Sequence, residues 1–205
     1  MTTSTVRRGG PGRPRDPAAD AAILSAAVEL LIERGVEGAG MEQIAKRAGV
    51  AKVTVYRRWS SKIDLLVQAV ESLREEPPRL PDTDPADLPS AVAALLPTWS
   101  EQLADRRFQT LSARVLGAGP DHPELLSAYL EHLVRPRRDR AEEILTQARE
   151  VGALPAEADI PVLVDMMTSA VIQRLLLSTV PVSAVEVADY LRALLRQVGF
   201  RFPSG

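Results

Sequence analysis

Lys52, Tyr56, Arg57 and Arg58 fall within seven consecutive positions, with Val53 and Thr54 between them and Lys62 just beyond. Such a set contains no nucleophile–base pair and no metal ligands. It offers hydrogen-bond donors and positive charge, which suit phosphate oxygens and the edges of bases. The rest of the chain holds little competing chemistry. Cysteine is absent, which excludes disulfides, thiolate metal sites and a cysteine nucleophile. His122 and His132 stand on opposite sides of Pro123 without a matching carboxylate pattern, so no catalytic residue, metal or cofactor is expected.

The elements that position these residues are legible from spacing. Met41, Ile44, Ala45 and Ala48 recur at i, i+3, i+4 and i+7, the stripe of a short amphipathic helix. Gly49 supplies a bend and Val50 a plug for the angle between helices. A second helix over Lys52–Trp59 then points Val55 and Trp59 inward and leaves Lys52, Val53, Tyr56, Arg57 and the Arg58 edge outside. An apolar inner face with a cationic, aromatic outer face fits the major groove. Lys52 and Val53 lie at the end that reaches base edges, with Arg57 a second candidate reader, while Thr54, Tyr56 and Lys62 suit phosphates. Tyr56 is equally readable as a ring closing the small core, and Arg58 as a solvated surface residue. Ahead of this pair, Ile23, Leu24, Ala27, Leu30 and Leu31 mark a helix from Pro17 to Arg34, which Gly35 terminates.

Met41, Ile44-Ala45, Ala48-Gly49-Val50, Thr54-Val55-Tyr56, Trp59, Ser61-Lys62 and Leu65-Leu66 together resemble the helix-turn-helix of the TetR family of bacterial transcriptional regulators, over roughly residues 17–74. The pattern departs from the family at Ala51, where a Ser or Thr is frequent, at Val53, where a small residue is frequent, and at Arg58, where His or Tyr is common. Upstream, Gly12-Arg13-Pro14-Arg15 resembles the minor-groove insert of AT-hook proteins. Arg13 and Arg15 on a flexible arm suit a narrow A·T-rich groove; a solubilising tail is the other reading.

Charge is divided to match. Residues 1–62 carry 11 Lys/Arg against 6 Asp/Glu, and residues 63–205 carry 14 against 21, so a net of −2 conceals a basic end and an acidic body. The organisation expected is a disordered basic arm over 1–16, a helix-turn-helix domain over 17–62, a connecting helix over 63–76, a proline- and aspartate-rich linker over 77–87, and a helical regulatory and dimerisation domain over 88–205. Apolar periodicity marks body helices near Leu88–Leu103, Arg106–Leu116, Pro123–Val151, Pro161–Thr179 and Val185–Phe200, without strand-like alternation. The fold class is therefore all-α, an N-terminal three-helix DNA-binding domain plus a larger helical C-terminal domain.

The resemblance implies a homodimer on a palindromic double-stranded DNA operator and a small-molecule effector held among the body helices. Met167, Val171, Leu175, Ala188, Leu191, Leu195 and Val198 are the expected dimer contacts. Trp99, Gln102, Phe108, Tyr129, Met166, Met167 and Gln173 are the candidate effector contacts. The Arg135–Arg140 run reads as a solvated face paired with Glu142 and Glu143. No apolar run approaches the roughly 18 residues of a membrane span, and a cytoplasmic, nucleoid-associated bacterial protein is expected. The function these features imply is a non-enzymatic regulator, in the family's usual manner a repressor released by its ligand. The alternative is a helical protein–protein adaptor with an incidentally basic N-terminus.

Overall fold

The computed structural model describes residues 16–178, 180 and 182–203, so the expectations for Arg13 and Arg15 lie outside the described residues. Ten helices follow one another without a strand among the described residues. Helix α1 (Pro17–Gly38) begins where Asp16 accepts the Ala18 amide at 3.1 Å and Pro17 occupies the first turn. Its apolar stripe buries Ile23, Ala27, Leu30 and Leu31 completely or nearly so. The regular helix breaks at Gly35 (φ 69°, ψ −175°), a conformation open in practice only to glycine, and buried Val36 turns back onto the core.

Helix α2 (Met41–Arg47) ends in a Schellman turn. Gly49 adopts φ 69°, its amide donates to Lys46 O at 3.3 Å, and the Val50 amide donates to Ala45 O at 3.1 Å. This turn sets the angle at which α3 (Lys52–Tyr56) leaves, and α3 is shorter than expected because Arg57 and Arg58 already belong to the turn before Trp59. Helix α4 (Lys62–Glu71) starts at Ser61, whose hydroxyl accepts the Asp64 amide at 3.0 Å. It ends five residues before the expected Glu76. Acidic Glu75 and Glu76 oppose the C-terminal end of a helix dipole, and Glu76 precedes Pro77, which disfavours helical backbone.

The first apolar cluster joins α1–α4 to Leu111 and Val115 of α6 (Arg106–Ala118) and to Leu125, Ala128 and Tyr129 of α7 (Pro123–Tyr129). The N-terminal helices thus share a continuous core with part of the body. Burial of each large aliphatic side chain there stabilises by about 1.5–3 kcal/mol. A second cluster lies among α5 (Leu88–Ala104), α8 (Arg135–Glu150), α9 (Ile160–Leu176) and α10 (Ala184–Gln197), with α10 packed along α5. The helix expected over Pro123–Val151 is interrupted by a wide π turn at Leu130–Val134. Pro136 has no amide to give to the preceding turn, and a widened turn absorbs the missing bond. No helix among the described residues is long and apolar enough to cross a membrane.

Candidate nucleic-acid interface

Helix α3 has two sharply different sides. Val55 is fully buried and Trp59, just beyond the helix, nearly so, its indole Nε1 donating to Gln68 Oε1 of α4 at 2.8 Å. On the opposite side Val53 is 69% exposed and Tyr56 53% exposed, with Lys52 and Arg57 also open to solvent and Thr54 half-buried. The reading of Tyr56 as a core-closing ring does not match this exposure. The exposed valine among these polar side chains gives the outer side of α3 an apolar contact point beside its donors.

Several of these cations already have intramolecular partners. Lys52 Nζ lies 2.7 Å from Glu42 Oε2 of α2, both well exposed. Lys62 Nζ lies 3.3 Å from Glu37 Oε1, and the same oxygen stands 3.7 Å from His122 Nε2 at the start of α7. Glu37 was not singled out in the sequence, since nothing in local spacing shows that a residue after the α1 break reaches α4. Nearby, Glu33 takes a bidentate pair from Arg47 at 2.7 and 2.8 Å, which fastens α2 to α1. That pairing holds the Glu33 carboxyl below its ordinary range and raises the Arg47 guanidinium above its own.

Arg58 departs from the sequence expectation. Its side chain is only 10% exposed and pairs with Asp20 of α1 instead of facing outward. At the end of the short α3 the chain turns toward Trp59, and that turn carries Arg58 to the α1 side. The expected outward placement of Arg58 is thus corrected: its side chain pairs across to α1.

The body contains a cavity of about 180 Å³, bordered by α5, α6, α8, α9 and α10. Trp99, Gln102, Phe108, Tyr129 and Met167 line it. Met166 and Gln173 do not; Met166 is 57% exposed, and both lie with Val162 on the outer side of α9. The expected dimer contacts also need correction. Val171, Ala188, Leu191 and Leu195 are buried inside this chain, and Met167, Leu175 and Val198 are half-buried against the same cluster. Helix α5 covers much of the apolar stripe of α10, so its buried members are already packed within the chain.

Residues 23–69 match the family described as bacterial regulatory proteins, tetR family, and residues 80–196 match the tetracyclin repressor-like C-terminal domain. The chain belongs to the TetR family. It is 33% identical over 181 residues to the HTH-type transcriptional regulator YdeS of Bacillus subtilis, covering 87% of this chain and 88% of that protein. Among solved structures, the TetR family transcription regulator SCO0332 is 31% identical, covers 88% of this chain and 98% of its own, and superposes with a TM-score of 0.57. A TetR-family regulator from Mesorhizobium loti reaches 0.69 at 17% identity over 91% of this chain and 100% of its own, a likeness of fold. This TetR-family chain is therefore a DNA-binding transcriptional regulator and not an enzyme. Regulators of the family bind DNA, act as dimers and respond to small-molecule effectors.

Proposed function

We propose that this TetR-family chain binds a palindromic operator as a homodimer, represses the adjoining genes, and is released by a small molecule in the α5–α10 cavity. The observation that carries the DNA contact is the two-sided α3: its inner Val55 is fully buried while Lys52, Val53, Tyr56 and Arg57 stand together on the outside. Lys52 and Arg57 donate to base edges, Val53 presses on a thymine methyl, and Thr54, Tyr56 and Lys62 anchor phosphates. Lys52 must exchange Glu42, and Lys62 must exchange Glu37, for DNA oxygens. A dimer sets two such helices about 34–36 Å apart, one turn of DNA. The helix-turn-helix unit is assigned to 17–62 and the regulatory unit to 88–205, with α4 and the segment through residue 87 between them.

The dimer face is reassigned to the apolar surface that remains exposed: Val162 and Met166 on the outer side of α9, with Leu177 and Val185 near the α9–α10 connection. Two copies that join there cover side chains which are otherwise bare to water. Repression is the typical action in the family, and the site of action is the cytoplasm, at the nucleoid. An effector shifts the balance by favouring a body conformation that spreads the reading helices, through α4.

The deciding experiment maps the DNA bound by the full chain and compares its affinity for that operator with random DNA. Lys52→Ala and Arg57→Ala should each reduce discrimination by about 1–3 kcal/mol, while Lys62→Ala weakens all sequences alike and lowers the salt slope by about one. Undiminished discrimination in both Lys52→Ala and Arg57→Ala would remove them as base readers.

A further inference from the structure

The α5–α10 cavity has a one-sided charge pattern. Arg137 and Arg138 both belong to its lining, and no Asp or Glu does. Arg138 is neutralised by Asp165 of α9, with Glu142 a further 3.8 Å contact. Arg137 has no ion-pair partner among the described residues. Its Nη1 donates to Leu133 O at 2.5 Å, and its guanidinium lies over the Phe108 ring, 4.9 Å from the centroid. Burial pushes the Arg137 pKa down, and Glu75 offsets this only from beyond ion-pair distance. Arginine remains charged in such a setting; Glu75, Glu101 and Asp105 border with it an adjoining pocket, but none pairs with it directly, so the partly desolvated cation keeps hydrogen-bonding capacity for an anion.

Two further features agree. The buried Nε1 of Trp99, also in the lining, has no hydrogen-bond acceptor among the described residues. Burial pushes the Tyr129 phenol up, so the ring stays neutral; its hydroxyl donates to Ser112 Oγ at 2.8 Å, and that hydroxyl donates onward to Phe108 O at 2.7 Å. Arg137 and Trp99 Nε1 both call for an acceptor oxygen, while Gln102, Gln109 and Thr168 add neutral polar groups to the same lining. Most of the other lining residues are aliphatic, among them Leu96, Val164, Leu175 and Leu191.

We infer that this cavity takes an amphipathic monoanion, a carboxylic acid whose carboxylate pairs with Arg137 and whose flexible hydrocarbon body fills the apolar chamber. This deepens the effector reading above and rests on it for the consequence at DNA. A cationic ligand is disfavoured because it would meet Arg137 without a carboxylate in the lining. A neutral alcohol would satisfy the apolar wall and leave the guanidinium unpaired.

The test titrates the full chain calorimetrically with decanoate, decanol and decyltrimethylammonium, each below its micelle concentration. Decanoate should saturate at one per chain and bind at least tenfold more tightly than the other two. Arg137→Gln should weaken decanoate at least tenfold and leave decanol unchanged, with Arg137→Lys intermediate. Equal or tighter binding of decanol or the ammonium, or no binding of decanoate, overturns the inference; this head-group comparison on the unaltered chain holds even where Arg137→Gln does not fold. Operator binding is followed in the same samples. Decanoate that binds without releasing operator supports the ligand class and overturns the effector reading, whereas release by a neutral or cationic compound without decanoate binding does the reverse.

Discussion

Replacing Arg58 by alanine separates a structural arginine from a DNA-contacting one. The Arg58 side chain is 10% exposed and its partner Asp20 33%, so the pair is mostly withdrawn from water. A charge-assisted hydrogen bond of this kind stabilises by about 1.5–3 kcal/mol. After Arg58→Ala, Asp20 keeps some hydration and the favourable field of the first turn of α1, which places the loss at about 2 kcal/mol. For a chain of this length that is a fall in Tm of about 4–8 °C. Asp20→Ala strands the more deeply buried partner and should cost more, about 3 kcal/mol. A double-mutant cycle by thermal melting should return a coupling of about 1–2 kcal/mol. Arg58→Ala should leave the salt slope of operator binding unaltered, whereas Arg57→Ala should leave Tm unaltered and weaken the operator complex. An unchanged Tm together with a salt slope reduced by about one would refute the clamp and return Arg58 to the phosphate contacts.

Glu37→Gln removes the carboxylate that holds Lys62 at 3.3 Å, and because such an exposed pair is weak, operator affinity in gel shifts should rise by about two- to fivefold. Gly35→Ala forces a Cβ into backbone at φ 69°, ψ −175°, and urea denaturation should show a loss of about 1–3 kcal/mol. Ser60 and Ser61 hold the Asp64 carboxyl low, Arg47 does so for Glu33, and the Ser183 amide and hydroxyl do so for Glu186. Groups lowered in the fold stabilise it above the ordinary carboxylate range and lose that contribution as pH falls through their folded values. Tm should therefore decline below about pH 4, and Glu186→Gln should decline less steeply than the unaltered chain.

Local spacing was sufficient for the α2–turn–α3 unit. Met41, Ile44 and Ala45 form their stripe within two turns of helix, and Gly49 makes the bend with hydrogen bonds that reach back no further than Ala45. The outward placement of Lys52, Val53, Tyr56 and Arg57 follows from the same short-range geometry, since burying Val55 rotates them into solvent. Segment boundaries were less legible where two signals compete, as where Glu75, Glu76 and Pro77 end α4 early and Pro136 splits the helix expected over Pro123–Val151.

What depended on distant neighbours was decided only by the tertiary packing. An amphipathic stripe announces that it will be covered, but not by what: α10 gives its stripe to α5 of its own chain, while Val162, Met166, Ile172, Leu177 and Val185 are among the apolar side chains left exposed. A charge run likewise announces cations without their partners. Arg58 found Asp20, 38 residues away, and turned inward. Arg137 shares the helical spacing of Leu133, Ala141 and Ile144, a signal that it lies on the apolar side, yet only the packing of α8 against α5, α6 and α9 encloses it without a carboxylate. Residue types and short-range periodicity thus pointed to an all-α chain with a helix-turn-helix, and the resemblance those residues carry implied a DNA-binding regulator. Long-range contacts, whose free energy depends on which surfaces meet, determined which arginines pair within the fold, which stay exposed beside α3 and which lines the cavity.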